Sequence, residues 1–319
     1  MIVNAARVCA VLALVAGVSL PLAANSQAPA AAARANALDL VMQRAAATAP
    51  GTYVLNGTAL APSATAIPVL VQVDVLRGKE PLVRVPIVVG AELPQGAEIR
   101  LRVVTVAAAG QTSRVMGNAT GSGAAGHARF VHEFVLPPGD YESQAAVGEF
   151  KTAAGVTAVL AKSKFTVPDV WGSALVVTPI VLGEEATAGR RGEMRPFSFG
   201  PTTIVPAVKG QFPQGGAIRV AFRIFNWRAK DEEKPDVTVE YLFYEQGTKR
   251  LNLFNKIKPQ LLTASTLGDA FDPASGILNA GMVVPLGSFT FGDFKLKVSV
   301  TDNRSKQSTE QWVGFTVSP

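Results

Sequence analysis

The sequence predicts an all-β protein of layered antiparallel sheets, and three observations predict it. Apolar residues fall at every second position in run after run, most cleanly in Phe294, Leu296, Val298 and Val300 against Lys295, Lys297 and Ser299. Turn formers such as Pro94, Gly96, Gly110, Gly117, Pro137 and Gly139 separate these runs, at the spacing of a sandwich. Three short phrases of the first half return in the same order in the second. A strand with one dry and one wet face belongs to an antiparallel sheet packed on one side, so the runs assemble as facing layers.

Residues 1–24 read as a signal peptide: a positive charge at Arg7, an apolar run from Val8 to Leu22, then the small pair Ala23 and Ala24. A membrane anchor is the rival reading, but the run falls short of the ~20 apolar residues a spanning helix needs. The expected location is therefore periplasmic or secreted, with no transmembrane segment after signal cleavage. Cys9 is the only cysteine and lies inside the signal, where it cannot accept a lipid at the cleavage site. The mature chain then has no disulfide, and burial of apolar side chains must hold each unit, which domains of ~100 residues can manage.

From residue 25 to 62 the chain is an alanine-rich segment. Leu38, Val41, Met42 and Ala45 would share one face of a helix over 37–47. So short a helix is marginal unless it has a surface to pack on, which predicts a frayed or docked helix and then a linker through Pro62. Residues 63–168 carry alternating runs at Ile67–Leu76, Leu82–Val89, Glu98–Val106, Ala128–Leu136, Tyr141–Val147 and Thr157–Val167. Here Ile99, Leu101 and Val103 oppose Arg100 and Arg102. Six or seven strands in about a hundred residues fit an immunoglobulin-like β-sandwich. Residues 169–319 form a second, larger one, in which Ile218, Val220, Phe222 and Ile224 oppose Arg219 and Arg223. The fold expected is two tandem immunoglobulin-like antiparallel β-sandwiches after a signal peptide and a short N-terminal helix.

The repeat supports that pairing. Pro94–Arg100 returns as Pro213–Arg219, Gly139-Asp140-Tyr141 as Gly292-Asp293-Phe294, and Phe165-Thr166-Val167 as Phe315-Thr316-Val317. The first offset is 119 residues and the second 153, which implies an insertion of 34 residues in the second copy. Pro and Gly before the aromatic residue turn the chain through a corner, and the strand that begins there aims its first ring into the core. Tyr141 can turn its hydroxyl back onto the backbone as the tyrosine of such sandwiches does. Phe294 can keep the burial, worth ~1.5–3 kcal/mol, but not the hydrogen bond.

The stretch Ile224–Gly247, with Phe225, Asn226, Asp231, Pro235 and Val239–Tyr241 as its landmarks, resembles the C-terminal immunoglobulin-like modules of secreted bacterial VWFA-related proteins of the acidobacterial type. Lys164–Gly183 resembles the junction between such modules, and the likeness runs over roughly 82–319. The von Willebrand A domain with its Asp-x-Ser-x-Ser metal motif is absent from the sequence. The resemblance thus implies an exported accessory protein and transfers no catalytic residue.

Catalytic templates find little to hold. His127 and His132 are the only histidines; five apart on one strand they point to opposite faces and cannot share a metal. The Gly117–Gly126 stretch lacks the lysine and helix of a phosphate loop and reads as a hairpin tip. Asp269 and Asp272 are too few carboxylates for calcium, and Asp231, Glu232 and Glu233 read as a charged hairpin loop. Net charge is +6 with the signal, without the clustering that nucleic acid requires. The basic groups Arg190, Arg191 and Arg195, and Lys249, Arg250, Lys256 and Lys258, read as solvated faces. The sequons at Asn56, Asn118 and Asn303 matter only on a eukaryotic secretory route.

Trp171, Trp227 and Trp312, with Tyr241 and Tyr244, are read chiefly as core and interdomain aromatics. Trp227 is the exception: it falls on the arginine side of its strand, so Trp227 and Arg228 form the candidate ligand surface. No catalytic, cofactor-binding or metal-ligating residue and no cofactor is expected. The expected role is a non-enzymatic structural or protein-binding module whose partner is another envelope or secreted protein. The alternative is a carbohydrate-binding or enzyme-accessory module that stacks a polysaccharide on exposed aromatics, and nucleic acid is excluded.

Overall fold

The computed structural model describes residues 38–56, 59–63, 66–92, 98–105, 112–118, 128–149, 156–189, 194–227, 235–248, 250–268, 271–272 and 276–319. The predicted signal peptide, His127, Arg190, Arg191, Arg228, the 231–233 acidic run, Lys249, Asp269 and the side chain of Asp272 lie outside them. Among the described residues the protein is all-β apart from a short helix at 38–44.

The first half supplies β1 (Gly51–Asn56), β2 (Ala59–Pro62), β3 (Val69–Val73), β4 (Leu76–Arg77), β5 (Val83–Ala91), β6 (Glu98–Thr105), β7 (Thr112–Asn118), β8 (Ala128–Leu136), β9 (Gly139–Glu149) and β10 (Val156–Val167). Sheet I runs β2-β1-β10-β9-β6-β7; in sheet II, β5 has β3 and β4 on one side and β8 on the other. The inward alternate residues of the two sheets fill one core, with Val85, Ile87 and Val89 meeting Ile99, Leu101 and Val147. The segment expected to be a linker through Pro62 instead contains β1 and β2, which extend sheet I from the edge of β10.

The second half supplies β11 (Val176–Val177), β12 (Val181–Ala188), β13 (Ser198–Phe199), β14 (Thr202–Pro206), β15 (Gln211–Pro213), β16 (Ala217–Phe225), β17 (Val237–Gln246), β18 (Leu251–Lys256), β19 (Gln260–Leu262), β20 (Phe271–Asp272), β21 (Ile277–Pro285), β22 (Gly292–Asp302) and β23 (Ser308–Ser318). Sheet III runs β13-β14-β12-β16-β21-β20, with β11 also on β16. Sheet IV runs β15-β23-β22-β17-β18, with β19 also on β17; the β15–β23 pair is parallel. Ile218, Val220, Phe222 and Ile224 of sheet III meet Val239, Tyr241, Leu296 and Val298 of sheet IV in one core.

Two of the three sequence landmarks occupy equivalent places. In the β9–β10 ladder Gly139, Asp140 and Tyr141 face Val167, Thr166 and Phe165; in the β22–β23 ladder Gly292, Asp293 and Phe294 face Val317, Thr316 and Phe315. Thr166 donates to Asp140 and Thr316 to Asp293, each at 2.6 Å. The facing rings stack at 5.8 Å and 5.6 Å. Tyr141 is 4% exposed and Phe294 1%. The Tyr141 hydroxyl donates to the Pro137 carbonyl at 2.9 Å, whereas Phe294 packs among Phe254, Phe289 and Phe315. The same corner occurs a third time at Gly51-Thr52-Tyr53, where the Tyr53 hydroxyl donates to the Ala49 carbonyl at 2.7 Å.

The remaining landmark does not mark equivalent strands. Pro94–Arg100 leads into β6, a neighbour of β7 and β9, whereas Pro213–Arg219 leads into β16, a neighbour of β12 and β21. By position in the ladders β16 matches β5, and β17 matches β6. The phrase is a local turn signal that any strand entry can use, so the 34-residue insertion inferred from it falls away.

Arg100 and Arg223, expected to face water, are buried, and Arg102 and Arg219 are half-buried, because period two tells which residues share a face and not what lies over it. Over β6 lies the helix, whose Leu38, Val41, Met42 and Ala45 pack on Tyr53, Leu55 and Leu160. Arg100 is buried and donates to Asp39 at 3.3 Å, and Arg102 donates to the Met42 carbonyl at 3.1 Å. Over β16 lies the first half of the chain. Arg223 is 1% exposed and pairs with the equally buried Asp74, from the break between β3 and β4. The Asp74 carboxylate also accepts from the backbone N–H of Val75 at 2.8 Å and of Phe197 at 2.7 Å.

More contacts close this junction. The Gln72 amide accepts from the Leu182 N–H at 2.7 Å and donates to the carbonyls of Leu182 and Ala207 at 2.9 Å and 3.1 Å. Arg129 pairs with Glu184 at 2.9 Å and Lys209 with Glu92 at 2.6 Å. Val88 packs against Val181, Phe197, Phe199 and Ile204. Gly90 sits where a Cβ would lie 2.4 Å from the Val208 Cα, so the absence of a side chain sets how closely the two halves approach.

Candidate binding groove

Trp227 does not form an exposed platform. Its strand ends at Phe225, and Asn226, at φ 59°, turns the chain so that alternation is not continued. The indole packs against the second core, edge-on to Phe271 at 5.6 Å, and its N–H donates to the Gly276 carbonyl at 2.9 Å. Its predicted companion Arg228 lies outside the described residues. Trp171 is likewise engaged: its N–H donates to the Leu82 carbonyl at 3.1 Å and the Arg77 guanidinium lies 5.2 Å from its ring. His132 sits between Phe130 and Phe134 on β8, and burial lowers its pKa against the opposing pull of Glu133. Asn303 is tied to Asp236 and Thr238.

The aromatic surface lies instead on the outward face of sheet IV. Trp312 is 41% exposed and packs against Tyr244 at 5.4 Å. Lys297, its partner across the β22–β23 ladder, holds its ammonium 5.4 Å from the indole centroid. Glu310 accepts from Lys297 and from the Trp312 N–H, and these two bonds hold its carboxyl below the ordinary glutamate range. Beside Trp312, Gly314 leaves the sheet surface bare. Leu251, Lys295 and Trp312 therefore wall a trough of about 420 Å³.

That trough continues into the junction. Gln311, Trp312, Val313 and Gly314 also line a crevice of about 320 Å³, whose other walls are Leu70–Val73 of β3, Ser163–Thr166 of β10, and Pro179, Ile180 and Leu182 around the start of β12. Lys164, Phe165 and Thr166 in turn border a third hollow of about 290 Å³ beside Asp140 and Tyr141. The three hollows are neighbours that share lining residues, Trp312–Gly314 between the first two and Lys164–Thr166 between the last two, and their succession from sheet I, across the junction, to sheet IV is termed the groove. The aromatic spacing was present in the sequence as Tyr244 and Trp312. The junction wall carried no local signal, since its parts lie far apart in the chain.

The groove's linings carry Lys164 and Lys295 and a single carboxylate, Asp140, which is engaged by Thr166. Among the described residues no group of three His, Cys, Asp or Glu side chains is placed to hold a metal ion, and no helix is long and apolar enough to cross a membrane. Together these features define an all-β protein with an extended groove across two facing-sheet units. A scan against protein-family models and a search of curated proteins found no match to this chain.

Proposed function

We propose that the protein is an exported, non-enzymatic module that binds another envelope or secreted protein, built as two tandem immunoglobulin-like sandwiches. The sandwich reading is supported by the strand orders, β3/β4-β5-β8 over β10-β9-β6-β7 and β12-β16-β21 over β23-β22-β17-β18, and by the shared corner register. Export rests on the first 24 residues. The observation that carries the binding reading is a groove walled by both halves of a junction whose polar contacts are buried. Such a junction holds both walls in one geometry, which favours binding by lowering the ordering cost. Photo-crosslinkers at Val71 and Val313, with one at the exposed Val131 as control, test it in the envelope fraction. Discrete protein adducts from the groove positions are expected, and adducts no different from the control would sink the reading.

A second reading, a polysaccharide stacked on aromatics, is favoured by the exposed Trp312 packed on the half-buried Tyr244. A glycan array read with the wild-type protein and Trp312→Ala distinguishes it: the polysaccharide reading requires a hit that the variant loses.

A further inference from the structure

We infer that the groove takes an extended acidic peptide that pairs as an added strand with the open edges at the junction, an inference that rests on the protein-binding reading above. The crevice is walled by three runs of four consecutive residues, 70–73, 163–166 and 311–314, with Pro179, Ile180 and Leu182 completing it. Successive side chains of a strand point to opposite faces, so a wall of consecutive residues is made by a strand's main-chain edge. A sugar platform, by contrast, would be lined by alternate residues on one sheet face.

Each of these edges lacks a ladder partner among the described residues. β3 is paired on one side only, by β5. The ladder of β1 on β10 stops at Leu160, short of residues 163–166. The ladder of β15 on β23 covers only Thr316–Ser318, beyond residues 311–314. Unpaired N–H and C=O groups in a row are a template for another strand, and an extended peptide laid along them gains main-chain bonds while its alternate side chains read pockets.

The side-chain preference follows from the linings. Lys164 borders the groove on one side of the crevice and Lys295 on the other; neither has an ion pair among the described residues, and the one carboxylate, Asp140, is bonded to Thr166. The trough between Trp312 and Leu251, opened by Gly314, accepts an apolar side chain. The occupant is therefore a segment in which acidic and apolar residues alternate, its carboxylates meeting the two lysines.

The probe is a fluorescein-labelled decapeptide of alternating Val and Glu, followed by anisotropy with the full chain. Saturable binding is expected, at least tenfold tighter than for a Val–Lys decapeptide. It should weaken about tenfold in Lys164→Glu/Lys295→Glu and on N-methylation of alternate peptide bonds, and amide exchange should slow at 70–73 and 311–314. Both lysines are surface residues, and an unchanged urea midpoint verifies that the double variant folds. Equal binding of the Val–Lys peptide, or full binding after N-methylation, overturns the inference; so does displacement by polygalacturonate that depends on Trp312 alone. Failure of the peptide while protein adducts still form at Val71 and Val313 refutes strand addition and leaves the protein-binding reading standing.

Discussion

Replacing Arg223 by Met probes the junction where it is most sensitive. The guanidinium pairs with Asp74, donates to the Ser198 carbonyl, and lies 4.3 Å from the Phe199 ring centroid. Methionine keeps much of the volume and removes all three interactions, leaving a buried carboxylate with only the N–H groups of Val75 and Phe197. Stranding one member of a buried ion pair costs about 3–5 kcal/mol, a large part of the ~5–15 kcal/mol by which a domain is stable.

The cost should depend on pH in a defined direction. Burial raises the Asp74 carboxyl above its ordinary value, against the pull of Arg223 and the two N–H groups, and removing Arg223 raises it further. The penalty therefore applies above the raised folded-state value. It fades as pH falls through the raised folded-state values and is gone below ~3.9, the unfolded value, where Asp74 is protonated in both states. Urea unfolding followed by tryptophan fluorescence and by far-UV circular dichroism measures both effects. The wild type should unfold in one transition and Arg223→Met in two, as the halves uncouple. In Asp74→Asn/Arg223→Met the loss should fall short of the sum of the singles by at least ~1 kcal/mol, the scale of coupling between contacting residues. A single-variant cost below about 1 kcal/mol at neutral pH, or strict additivity, would refute the reasoning.

Four further expectations follow from the corners, the junction and Glu310. Tyr141→Phe removes one hydrogen bond to the Pro137 carbonyl and should cost about 0.5–1.5 kcal/mol by urea denaturation. Phe294→Tyr should also destabilise, by about 1–3 kcal/mol, because its hydroxyl would enter the Phe254–Phe289–Phe315 cluster; a gain in stability would contradict the packing described. Gly90→Ala places a methyl against the Val208 backbone and should cost about 1–3 kcal/mol, read as a lower urea midpoint with more rapid amide exchange at 181–183. Glu310, held low by Lys297 and Trp312, contributes to the folded state above the unfolded glutamate value, and that contribution is lost as pH falls through its lower folded value. Trp312 fluorescence should therefore titrate below pH ~4.3 and become flat in Glu310→Gln.

Strand content was legible because period two is written locally, and the Gly-Asp-aromatic and Phe-Thr-Val phrases were legible because each fixes a corner and its partner across one ladder. The covers were not. Arg100 and Arg223 look solvent-bound on their own strands, and only the helix at 38–44 and the stretch around Asp74, far off in sequence, bury them. Trp227 was misplaced because one residue of positive φ, Asn226, ends the alternation that was used to orient it. β1 was missed although Pro50-Gly51-Thr52-Tyr53 repeats the corner found at Tyr141, a match that the Gly-Asp-aromatic pattern excluded by a single residue.

Gln72 acts as a strand one residue long. By offering Leu182 both an acceptor and a donor, its amide plugs the flank of β12 against any chain that would dock there. Replacing it with leucine would reopen that flank and invite misdirected self-association, within the very crevice that Gln72 and Leu182 help to line.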